Sequence, residues 1–98
     1  MSEIKVRTEV VGFLFDVQLW LEGNPIALSY DGNKTWKSTD ILDVEGNLNI
    51  SFHAVGVAGT DWVLTIVELE PKKKDLYKKE GTTQSTGHSF IADSVPVP

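Results

Sequence analysis

Ninety-eight residues with a net charge of −5 and no cysteine make one domain with one core, and rule out disulfides, thiolate metal sites and cysteine nucleophiles. Arg7 is the only arginine, and this acidic balance argues against a nucleic-acid partner, whose binder draws its affinity from clustered Lys and Arg. No run reaches the ~18 apolar residues that span a bilayer, and Met1-Ser2-Glu3-Ile4 lacks the basic and apolar regions of a signal peptide, so the chain reads as cytoplasmic or as the mature body of an exported protein.

In chain order, residues 4–10 place Ile4, Val6, Thr8 and Val10 on one face and Lys5, Arg7 and Glu9 on the other, a strand with one wet side. Gly12 breaks or bulges it. Residues 13–22 alternate, with Phe13, Phe15, Val17, Leu19 and Leu21 predicted to face the core. Leu14, Asp16, Gln18, Trp20 and Glu22 are predicted to face away from it. Gly23-Asn24-Pro25 reads as a turn and residues 26–30 as a short strand. Asp31-Gly32-Asn33 is the strongest hairpin signal in the chain, returning into residues 34–38. Residues 38–40 interrupt, and residues 41–44 form another short strand.

The chain is organised around residues 46–70. Leu48, Ile50, Phe52 and Ala54 alternate with polar residues, as a half-buried strand does. Residues 61–69 are apolar at nearly every position, the pattern of a strand covered on both faces. Gly56-Val57-Ala58-Gly59 supplies the reversal between them. Pro71 is expected to end the second strand. Beyond it, residues 76–77 begin a further short strand, residues 81–87 are a loop and residues 88–93 carry a weaker strand pattern. Residues 1–94 are expected to form the domain, with residues 95–98 an extended, loose tail. No segment has helical periodicity. Seven or eight short strands with a turn every 8 to 12 residues specify an all-β fold, an antiparallel β-sandwich of immunoglobulin-like or C2-like kind, with a small β-barrel as the alternative.

The candidate ligand-binding residues are Trp20, Gln18, Asp16, Trp36, Trp62 and His53. Exposed indoles beside carboxylates and amides suit a sugar, because pyranose C–H groups stack on the ring while Asp, Asn and Gln hydrogen-bond the hydroxyls. The competing reading is that each indole covers a sheet or an edge. Trp62 is the strongest core candidate, since Leu64 and Ile66 share its face. Trp20 is the one set opposite the core.

His53 and His88 lie on different predicted elements. Zinc would require both of them and a carboxylate to converge, so no metal or cofactor is expected. Asp16, Asp31, Asp40, Asp43 and Asp61 fall at turns and strand ends, where calcium is an alternative to turn formation. Residues 81–89 depart from a phosphate loop, Ser85 lacks a nucleophile elbow, and no Ser/His/Asp set is present, so an enzyme is not expected. Lys72, Lys73, Lys74, Lys78 and Lys79 read as protection of a strand edge. The sequence therefore points to a recognition module for a carbohydrate or an extended protein segment. The alternatives are a self-associating assembly domain, joined through strand edges or a Leu14–Trp20 patch, and a calcium-dependent binding module.

Overall fold

The computed structural model describes residues 2–32, 34–70 and 72–97. Asn33 of the expected hairpin turn, Pro71 at the expected strand stop and Pro98 of the tail lie outside the described residues. The described chain forms β1 (Ser2–Gly12), β2 (Leu14–Leu21), β3 (Asn24–Ile26), β4 (Ser29–Tyr30), β5 (Thr35–Val44), β6 (Asn47–Gly56), β7 (Asp61–Glu70), β8 (Lys74–Thr82) and β9 (His88–Pro96). They build a β-sandwich of two antiparallel sheets, one ordered β4-β5-β1-β7-β8 and the other β3-β2-β6-β9, with no closure into a barrel.

Period-2 patterning decides which side of each strand enters the core. Ile4, Val6, Thr8 and Val10 of β1 face in as expected, and so do Leu48, Ile50, Phe52 and Ala54 of β6. The link between β6 and β7 is a crossing from one sheet to the other. The Phe52 ring meets Trp62 of β7 across the gap, with centroids 5.0 Å apart and planes tilted by 51°. Burying an aromatic or branched side chain of this size stabilises the fold by about 1.5–3 kcal/mol each, so this layer is the main support of the sandwich.

Several local expectations are corrected. On β2 the pairing with β6 shifts register between Leu14 and Asp16. This bulge turns Leu14 inward and leaves Phe13 and Phe15 66% and 69% exposed. A bulge inserts one extra residue and so inverts the alternation on one side of it. Val17, Leu19 and Leu21 beyond it keep their inward orientation. Because Leu14 is buried, it forms no surface patch with Trp20.

The β2–β3 turn is Glu22-Gly23, both at positive φ (53° and 75°), as a two-residue hairpin of mirror-image type requires. Pro25 is thereby placed within β3, at a sheet edge where its missing N–H is tolerated. Residues 26–30 divide between the sheets as the end of β3 and the whole of β4. Residues 38–40 do not interrupt β5, where the Ser38 hydroxyl bonds Asp40 Oδ2 at 2.5 Å within a continuous strand. β7 is covered on one face only: Trp62, Leu64, Ile66 and Glu68 are buried while Val63, Thr65, Val67 and Leu69 are half-exposed. The outer face of its sheet carries no further layer among the described residues. Gly81 and Thr82, expected in a loop, belong to β8. The tail is extended but docked, since Val95 and Pro96 complete β9 and the buried Val97 donates its N–H to Gly46 O at 2.7 Å.

The lysine-rich segment forms edge strand β8 and the turn before it. There it also serves buried Glu68, whose Oε2 accepts the Lys72 N–H at 3.2 Å and whose Oε1 lies 3.9 Å from Lys74 Nζ. Across the open side between β8 and β9, the Tyr77 hydroxyl donates to Asp93 Oδ2 at 3.0 Å. Burial, then the hydrogen bond to Asp93 and its charge, push the phenol up to about 12. A raised folded-state value contributes stability that is complete below the ordinary tyrosine range near pH ~10 and is lost as the pH rises through the folded value. The native protein should show a phenolate absorbance step near pH 12 that Tyr77→Phe removes. A Tyr77 titration centred on the ordinary tyrosine value near pH ~10 would contradict this contact. The Ser94 N–H, then the Tyr77 hydroxyl, and Lys79 hold the Asp93 carboxyl below its ordinary value.

Candidate functional site

In the β3-β2-β6-β9 sheet, the residues between the buried positions face outward. Asp16, Gln18 and Trp20 do so on β2; Asn49, Ser51, His53 and Val55 on β6; and His88, Phe90, Ala92 and Ser94 on β9. The strand register sets them in rows. One row reads Asp16–Val55–His88, the next Gln18–His53–Phe90, and the next Pro25–Trp20–Ser51–Ala92. Phe90 is 69% exposed, and Phe15 stands at the same end of the sheet.

Four of the six residues named from the sequence (Trp20, Gln18, Asp16 and His53) therefore share one face. Trp36 and Trp62 do not. Trp62 is 2% exposed and sits in the core. Trp36 is half-buried in the other sheet, opposite fully buried Val10, with its ring 4.8 Å from Tyr30. Both are corrected to packing residues. Phe15, Phe90 and His88 are the site residues that sequence reasoning missed.

The charge of this face is low. No Lys or Arg occurs in any of the four strands of the sheet. The nearest carboxylates lie towards opposite ends of β2 and are engaged there. Asp16 Oδ1 accepts the Val17 N–H at 2.9 Å, next to the bulge, and Glu22 Oε2 accepts from Asn49 Nδ2 at 2.8 Å. Between them lie indole, amide, hydroxyl and imidazole. By contrast, a depression of about 280 Å³ on the outer face of the five-stranded sheet is lined by Arg7, Glu9, Lys73 and Asp75, with Arg7 and Glu9 paired at 3.1 Å.

Three rings form the centre of the face. His53 stacks on Phe90 with centroids 4.3 Å apart and planes 6° from parallel. His53 Nε2 lies 2.9 Å from His88 Nδ1, and His53 Nδ1 lies 3.4 Å from Gln18 Oε1. A carbonyl oxygen only accepts, so the tautomer that satisfies both contacts carries the His53 proton on Nδ1, towards Gln18. His53 Nε2 then accepts from the His88 Nδ1–H, and His88 Nε2 is left as a bare acceptor. No group of three or more His, Cys, Asp or Glu side chains is placed to hold a metal ion among the described residues. The two histidines converge, but the carboxylate that would complete a zinc set does not.

No protein-family model matches the chain, and neither the curated proteins nor the solved structures contain a match.

Proposed function

We propose that this protein is a non-enzymatic recognition module that binds neutral carbohydrate on the outer face of its four-stranded sheet. The observation that carries the reading is an outer surface on which Phe90 is exposed and Trp20 and His53 are half-exposed beside Gln18, Asn49 and Ser51, in strands that contain no Lys or Arg. Aromatic enrichment with depletion of charge is the composition of an interface centre. The rings offer large apolar area at little conformational cost. The Gln18 amide, the Ser51 hydroxyl and the His88 acceptor nitrogen supply hydrogen bonds of the kind that orient a polyol. An anionic sugar would find no cation to replace its water, which restricts the class to neutral glycans.

A glycan array covering neutral and acidic structures tests the proposal. Binding to one or more neutral glycans is expected, weakened about tenfold (~1.4 kcal/mol) or more by Trp20→Ala or Phe90→Ala, with the melting temperature nearly unchanged because neither side chain is in the core. Absence of binding to every neutral glycan, or full affinity in Trp20→Ala, would refute it. Binding of extended peptides in place of any glycan would assign the same face to a protein ligand.

A further inference from the structure

We propose that His53 and His88 form a two-nitrogen site for a divalent transition-metal ion, Cu²⁺ above all. The ion would take the place of the proton that the two rings now share. His53 Nε2 and His88 Nδ1 stand 2.9 Å apart. The two nitrogens thus already converge to hydrogen-bond distance. Among divalent first-row ions, intrinsic affinity for such imidazole ligands is highest for Cu²⁺.

The first ligand is already oriented. A metal-binding imidazole ordinarily donates its second ring N–H to an acceptor, which fixes the tautomer and the ring plane. Gln18 Oε1 stands 3.4 Å from His53 Nδ1 in that role, and Phe90, parallel to the ring at 4.3 Å, holds its plane. His88 opens β9 and is half-exposed, so it is free to pivot from pointing at His53 towards an ion bound by both rings. Neutral imidazole is the ligand form, and the ion competes with protons for both nitrogens. The remaining coordination positions face solvent. The only charged side chain in the neighbouring rows is Asp16, whose Oδ1 is taken by the Val17 N–H. Asp93 of β9 is turned to the other side, where Tyr77 holds it.

Equimolar Cu²⁺ added to the whole chain provides the test, because this paramagnetic ion broadens the amide signals near it without any sugar present. Selective broadening at Gln18, His53, Val55, His88 and Phe90 is expected. It should disappear in His53→Ala and in His88→Ala, both of which keep an otherwise native amide spectrum. Gln18→Ala should weaken binding by roughly tenfold. Broadening confined to the amino terminus or to surface carboxylates, or persisting in either histidine variant, would overturn the site. Zn²⁺ binding as tightly as Cu²⁺ would overturn the choice of ion. Neither result bears on the carbohydrate proposal, whose test uses metal-free protein.

Discussion

Replacing Phe52 by Ala should lower stability by about 3–5 kcal/mol, a large share of the 5–15 kcal/mol typical of a whole domain. Phe52 is 2% exposed. It lies in the middle of β6, flanked by Leu19 of β2 and Ile91 of β9, and meets Trp62 of the opposite sheet at 5.0 Å. Truncation removes the transfer energy of the ring and leaves a cavity that the surrounding strands collapse only partly. For a domain near 100 residues the fall in melting temperature should be roughly 15 °C or more. Phe90→Ala is the matched control, since the same chemistry on a side chain 69% exposed removes little burial and should cost under ~1 kcal/mol. Denaturant midpoints at constant slope measure both. Equal losses would show that the two sides of the sheet have been assigned wrongly.

Gly87→Ala should cost about 2–6 kcal/mol, the sum of two separate penalties of ~1–3 kcal/mol each. Gly87 has φ +81°, and a Cβ there would stand 2.5 Å from Gly56 O. The neighbouring backbone has little freedom to yield. Gly87 O accepts the Gly56 N–H at 2.8 Å, and the Gly87 N–H donates to Gln84 O at 2.9 Å. Gly59→Ala separates the two terms, because Gly59 has φ +85° with nothing within 4 Å of the added carbon. It should show the conformational penalty alone. Gly87 immediately precedes His88, so the variant should also displace the start of β9 and weaken whatever binds on the outer face. An Ala variant at Gly87 no worse than the one at Gly59 would contradict the close approach.

The architecture was legible because β1 and β6 alternate without interruption, and one correct phase per strand is enough to identify two half-buried sheets. The orientation of Trp20 was legible for the same reason: from Val17 onwards β2 keeps its period. Upstream the pattern was ambiguous. Phe13, Leu14 and Phe15 are all apolar, so both phases look acceptable and only pairing with β6 reveals the bulge. β7 misled in another way. Val63, Val67 and Leu69 suggest a second covered face, but β-branched and aliphatic residues also suit a half-exposed sheet surface. The His53–His88–Phe90 cluster could not be seen at all from spacing. His53 and His88 are 35 residues apart, and they meet only because the register sets Val55 opposite His88 and His53 opposite Phe90. Two-histidine proximity across a sheet is a property of register, which a single sequence leaves open when no turn joins the strands.

Chemical-shift mapping with the neutral oligosaccharide that gives the strongest array signal addresses the outer face most directly, because each of the three indoles reports a different environment. The expected result is movement of the Trp20 indole N–H together with the amides of Gln18, Ser51, His53 and Phe90, while the Trp36 and Trp62 indoles stay fixed. Movement centred on the five-stranded sheet, or a Trp20 signal that no saturating sugar displaces, would contradict the assignment of that face as the binding surface.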